Sequence, residues 1–318
     1  MTTSASSGQP AQRPPTEGNV SIGAVRLRYL EWEAPLSSAD DADPLPLLLL
    51  HGLASAAHIW DLVAPTLARE RRVVALDQRG HGLSDKPDDG YDFATITDDD
   101  LAAADALGLG QRFAVAGHSW GANVALELAA RHPERVAALV LVDGGFGMLR
   151  ERPGATWEQI SRDLAPPRFA GTPRETFLGW VRQGIPSASP EVERIELNIV
   201  ELRPDDTVAP RLSFEHHMRI LRAMWDEDPD QLFAKVRAPT LYALAEGLAS
   251  DADAPEDGFL AAKRRGAAVA RQRMSGAPSV EVWWMPDTVQ DIPLQRPDAL
   301  SARMVDFLRA ADARAAQP

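Results

Sequence analysis

Short apolar runs recur along this chain at spacings that leave room for a helix between them, and this alternation restricts the fold more than any other feature. Residues 47–50, 73–76, 113–117 and 138–142 are each four or five residues long and carry no charge. A strand that is apolar at every position has no solvated face, so it belongs inside a parallel sheet covered on both sides. Helical patterns occupy 58–69, 96–107 and 122–131, and a further strand is expected at 25–32. Such βαβα succession implies an α/β fold, a mostly parallel sheet with helices on both faces. The pattern is lost between about 148 and 228, where prolines and irregularly spaced aromatics surround one helical segment, 214–225. It resumes with strand 240–244, a helix around 260–273, strand 280–285 and helix 300–310. We therefore expect a core of 19–147 and 229–311 and an inserted, mostly helical cap at 148–228. A disordered tail is expected over 1–18.

Charge and cysteine usage narrow the function. The 33 basic and 46 acidic residues leave a net charge of −13, with acids clustered at Asp40–Asp41, Asp98–Asp100 and Asp251–Asp253. A polyanion would be repelled, so nucleic acid and anionic membrane are not expected partners. No cysteine is present, which removes disulfides, thiolate metal sites and a thiol nucleophile. The first residues are rich in Ser, Pro and Gln and lack a basic or apolar stretch, so no secretory signal is expected. The longest apolar run falls far below the roughly 20 residues of a membrane helix. A cytoplasmic protein acting on a small molecule is the expectation, and a homodimer is compatible with it.

The chemistry centres on Gly117-His118-Ser119-Trp120-Gly121, placed between strand 113–116 and the helix from 122. Small residues at 117 and 121 permit a sharp turn that lifts the Ser119 hydroxyl above the strand end, with the following helix N-terminus directed at it. A second turn, His51-Gly52-Leu53, follows the apolar strand 47–50. Its Leu53 N–H and that of Trp120 are the candidate oxyanion donors.

With LLLLHG (47–52), DQRGHGLSDKP (77–87), GHSWG (117–121) and ALVLVDG (138–144), the sequence resembles the α/β-hydrolase fold superfamily from about residue 20 to 311. The resemblance implies a lid at the insertion and a Ser–acid–His triad. A Trp after the nucleophile is similar to the branch containing haloalkane dehalogenases and epoxide hydrolases. Those carry Asp where this chain has Ser119, which argues for ester-type chemistry instead.

The triad does not close. The resemblance places the base in the loop after the last strand, where family members usually read V-H-D and this chain has Val289-Gln290-Asp291. The seven histidines are 51, 58, 81, 118, 132, 216 and 217. An amide exchanges hydrogen bonds but does not ionise near neutral pH. His51 and His118 are expected to brace their turns and His81 to be structural. His58 and His132 look solvated or helix-terminal. His216 and His217 lie about 100° apart on a helix, so at most one faces the cap's underside, and His217 is the candidate substrate contact, together with Trp120. The acid is open between Asp143, at the end of the strand after the nucleophile helix, and Glu246, with no functional acid as the third reading. Leu248 stands where family members commonly carry the acid.

No H-E-x-x-H, G-x-x-x-x-G-K-[ST] or G-x-G-x-x-G after a strand is present, so no metal, nucleotide or other cofactor is expected. Cap aromatics, if they face the cavity, suggest an apolar substrate. Three readings stay open: a serine hydrolase of a small apolar ester or lactone, with Ser119, Asp143 and Gln290 at its centre and an altered base that makes it slow or trapped; a non-hydrolytic enzyme of cyclisation, C–C cleavage or isomerisation; and a ligand-binding pseudoenzyme.

Overall fold

The computed structural model describes residues 14–34, 44–147, 149–152, 154–186, 188–248 and 258–315. Asp40, Asp41, Asp251, Asp253 and most of the expected tail lie outside the described residues. The chain opens with β1 (Thr16–Ile22), β2 (Val25–Trp32), β3 (Leu47–Leu50), α1 (Ala64–Leu67) and β4 (Val73–Leu76). Next come α2 (Phe93–Ala106), β5 (Phe113–His118), α3 (Trp120–Arg131) and β6 (Val136–Val142). The second half of the sheet is built by β10 (Thr240–Ala245), α9 (Phe259–Arg273) and β11 (Val280–Met285), followed by α10 (Ile292–Gln295) and α11 (Pro297–Ala315).

Eight strands form one sheet in the order β1-β2-β4-β3-β5-β6-β10-β11, parallel from β4 to β11. Its two faces divide the apolar side chains by parity. Leu47, Leu49, Ala114, Ala116, Val140 and Ala243 face one core layer with α1 and α11, while Leu48, Leu50, Phe113, Val115, Leu139 and Leu141 face the other with α2, α3 and α9. Alternating sides along a strand put every one of these residues in an interior, and truncating one of the leucines to alanine costs about 2–5 kcal/mol.

Three expectations are corrected. Thr16, Glu17 and Gly18 belong to β1, paired antiparallel with β2, so ordered chain begins before residue 19. Glu17 is held by Arg28, and Gly18 lies flat against the Tyr29 ring. The helix expected at 58–69 is instead a 3-10 turn at Ala57–Trp60 and the short α1. Pro65 lacks the N–H that a continuous helix would need. Between β6 and β10 the chain forms α4 (Trp157–Asp163), α5 (Arg174–Gly184), α6 (Pro190–Ile199), α7 (Phe214–Asp226) and α8 (Pro229–Phe233). It also forms a small antiparallel sheet of β7 (Thr172–Pro173), β8 (Glu201–Leu202) and β9 (Thr207–Ala209) that the expectation of a mostly helical segment omitted. Strands of two or three residues are too short for their periodicity to register. Among the described residues, no helix is long and apolar enough to cross a membrane.

Two side chains tie this segment to the core beneath it. Asn123 on α3 donates to the Glu227 carboxylate at 2.6 Å, just past the end of α7. Burial pushes the Glu227 carboxyl up to about 8, opposed by the Asn123 hydrogen bond and reinforced by Glu127 and Asp228. The folded chain therefore keeps this proton over a range in which the unfolded chain has released it near pH 4.3. That contribution is fully present below about pH 4 and is lost as pH rises to about 8. Glu227→Gln, which preserves an acceptor for Asn123, should flatten this stretch of the stability–pH curve in urea titrations at pH 5 and 8. An unchanged slope would show that Glu227 does not carry it.

Glycines test the packing at the sheet edge. A Cβ on Gly117 would overlap the backbone of Gly121 and Ala122, whereas one on Gly179 of α5 meets nothing within 4 Å. Gly117→Ala should cost about 1–3 kcal/mol or more, as overpacking against rigid backbone does. Gly179→Ala should stabilise by up to about 1 kcal/mol. Equal urea midpoints for the two variants would contradict the close approach.

Candidate active site

The parallel strands end together, and the site is assembled at that edge. Register pairs Leu50 with Gly117 and His118 with Val142, so the residues following β3, β5 and β6 are neighbours. Ser119 occupies the N-cap position of α3 with φ 53° and ψ −119° instead of the extended geometry of a capping residue. Its side chain makes no cap hydrogen bond, and its Oγ is left for other partners. The turn closes because glycines surround it. A Cβ on Gly121 would overlap the carbonyl of His51, and one on Gly144 the carbonyl of Ser119. A Cβ on Gly52 would stand 3.2 Å from the Ser119 Cβ, which puts the Gly52–Leu53 turn directly against the serine. Among the described residues, the N–H groups of Leu53 and Trp120 have no acceptor. Ala54, Asp143 and Asp287 also have positive φ at this edge, and such backbone strain gathers at functional sites.

Gln290 reaches the serine. Its Nε2 donates to Ser119 Oγ at 3.0 Å. The loop carrying it is pinned at several points: Thr288 and Gly247 exchange backbone hydrogen bonds, Val289 N–H donates to Gln295 Oε1 at 2.6 Å, and Ile292 N–H donates to the Gln290 carbonyl. His118 adds another, its Nε2 lying 3.0 Å from the same carbonyl. The ring next to Ser119 thus braces the loop opposite.

Asp143 lines the same cavity but does not touch Gln290. Its two oxygens take the ammonium of Lys263 at 2.7 and 3.0 Å, and Oδ1 also accepts from Ala245 N–H at 2.8 Å. Asp143 is 2% exposed and Lys263 4%. The other candidate acid, Glu246, faces outward to Arg264 at 3.3 Å and is absent from the cavity wall.

His217 is also placed elsewhere. It is 7% exposed, its Nε2 is 3.2 Å from the Leu164 carbonyl, and burial holds its pKa below the usual imidazole value. The residue of α7 that reaches the cavity is Met224, two turns on. Trp120 is among the residues that line the cavity, although it is 2% exposed and its indole is stacked on His81 with centroids 5.1 Å apart. No histidine lines the cavity. Among the described residues, no group of three His, Asp or Glu could hold a metal ion.

The cavity measures about 110 Å³, well above the roughly 10–15 Å³ that admits a single water. Its wall mixes Phe146, Leu149 and Met224 with Glu151, Arg152 and the Asp143–Lys263 pair. Of the aromatics within 148–228, Trp157 packs on Trp225 and Phe169 on Phe177, Trp180 and Phe214 are exposed, and none of these six lines the cavity. Lys263, Asn123 and Glu227 were not found from sequence. Lys263 carried a signal: with Ala267 and Ala270, both buried, it forms one stripe of α9 at i, i+4, i+7.

Comparison with known proteins agrees with the geometry. A family model described as the alpha/beta hydrolase fold matches residues 46–187. The chain is 42% identical over 107 residues to the 2-hydroxymuconate semialdehyde hydrolase of Pseudomonas sp. (strain CF600), covering 32% of this chain and 38% of that one. It is 36% identical over 124 residues to the 2-(acetamidomethylene)succinate hydrolase of Mesorhizobium japonicum, covering 39% and 41%. These alignments span less than half the length of either relative. The crystal structure of E-2-(acetamidomethylene)succinate hydrolase superposes with a TM-score of 0.70 at 20% identity, covering 93% of this chain and 99% of that one. Strand order, the positions of the turns and these likenesses converge: the chain has the α/β-hydrolase fold.

Proposed function

We propose that this protein is a serine-type hydrolase acting on a small carboxylic ester or lactone, with Ser119 as nucleophile and an amide in place of the usual base. The observation that carries the reading is the 3.0 Å contact from Gln290 Nε2 to an Oγ raised on a strained turn, beside two N–H groups without acceptors. Ser119 Oγ would attack the carbonyl, the oxyanion would take the Leu53 and Trp120 N–H groups, and the hydroxyl proton would leave to water. Collapse would release the alcohol and leave an acyl-serine for a second water to hydrolyse. Gln290 orients the hydroxyl but accepts no proton, so both steps are slow. The relatives named as hydrolases support the class of reaction and leave the substrate open. The mixed wall favours a small substrate with a polar end over a wholly apolar one. An amide that donates to Oγ also suits a second reading, in which the site polarises a bound carbonyl without hydrolysis.

An organophosphonate should label Ser119, and turnover of p-nitrophenyl acetate should be weak and lost in Ser119→Ala. Removing the base of a serine triad costs about 10⁶ in kcat, while the oxyanion hole and binding retain about 10³ to 10⁴ over water. A rate equal to that of an intact-triad esterase would show another group acting as base. Absence of labelling, with a small ligand still bound, would favour the non-hydrolytic reading.

A further inference from the structure

The buried ion pair beside Ser119 calls for its own explanation. Lys263 sits on a stripe of α9 otherwise occupied by buried alanines, where packing alone would select an apolar side chain. Gly266, one turn on, lets α9 come this close: a Cβ there would overlap the carbonyl of Phe146, in the loop that follows Asp143. The approach delivers the ammonium to both oxygens of Asp143 and to the Ala245 carbonyl at 2.9 Å. A carboxylate enclosed at this depth needs a positive or strongly donating partner. In a site with an imidazole over the serine, that ring could supply one. Gln290 does not, since its amide carries no positive charge and its side-chain hydrogen bond goes to Ser119.

We propose that Lys263 is a positioning residue that takes the place of the missing imidazole as the partner of Asp143. It holds the carboxylate turned toward α9 through both oxygens, so that Asp143 is withdrawn from any base at position 290. Gln290 and Lys263 then form a coupled pair, and the site is committed to chemistry without a general base. This deepens the serine reading and rests on it. A histidine introduced at 290 alone would meet an acid whose charge is already neutralised, and its imidazolium would gain little from it.

The test compares the native chain with Gln290→His, Lys263→Met and the double variant, by urea midpoint and by p-nitrophenyl acetate hydrolysis across pH. Lys263→Met alone should lower the midpoint, because it strands a buried carboxylate. Adding Gln290→His should recover part of that loss, a non-additive result. Hydrolysis by the double variant should exceed that of Gln290→His by about 100-fold, with a new limb near the imidazole range. Additive midpoints, or a Gln290→His single variant as active as the double, would overturn the proposal. If Lys263→Met does not fold, Asp143→Asn and Asp143→Asn/Lys263→Met replace it. Without the carboxylate the methionine should cost little, and a large further loss between those two contradicts the pairing. The midpoints judge the pairing whatever Ser119 does, whereas hydrolysis that survives Ser119→Ala in the double variant would refute the serine reading.

Discussion

Everything at this edge depends on one backbone constraint, the turn that holds Ser119 at positive φ between a fully buried strand and a helix. A non-glycine residue in such a conformation costs of the order of 1–3 kcal/mol, and Asp143 adds a second instance at the end of the next strand. The sheet overdetermines both positions. Ser119 N–H donates to the Val142 carbonyl and Asp143 N–H to the Ala243 carbonyl, at 2.8 and 2.9 Å, and each flanking strand is buried along its whole length. Burial of one leucine of β3 contributes about 1.5–3 kcal/mol, comparable with the strain at either turn. The geometry of Ser119 is therefore a property of the core.

Holding the serine rigidly does not activate it. What stands over the serine is an amide and not an imidazole, and among the described residues no histidine lines the cavity. His118, next in sequence to the serine, is engaged with the backbone of the Gln290 loop, and His51 is engaged with Gly52 and Gln78. His217 is buried within the segment between β6 and β10, with its ring on the Leu164 carbonyl. The carboxylate that could have oriented a base is paired with Lys263. The side chains around Ser119 are thus engaged with other partners, while the Leu53 and Trp120 N–H groups stay without acceptors among the described residues.

The parts of this arrangement that could be read in the sequence are those carried by neighbours in the chain. β2, β4 and β11 follow their apolar patterns to the residue, and the turns at Gly52 and Ser119 are written in glycines. Gln290 was legible because the loop around it keeps its pattern. The pairing of Asp143 with Lys263 spans 120 residues and that of Asn123 with Glu227 spans 104. No local rule links such positions, although a lysine in an alanine stripe marks a cation that needs a partner. His217 failed for the complementary reason. The helix face was readable, but its distance along the helix from the cavity was set by how α7 packs on α4. β1 escaped notice because Gly18 and Asn19 interrupt its alternation, and pairing with β2 supplies what propensity does not.

The central claim is that Ser119 can take an acyl group but has no base to pass it on. Intact-mass and peptide mass spectrometry after incubation with a p-nitrophenyl ester measures this directly. The account predicts one acyl group per chain, on the peptide containing Ser119, accumulating and persisting after the ester is removed because deacylation also requires an activated water. An adduct on another residue, or multiple turnovers with no acyl-serine detectable, would contradict it.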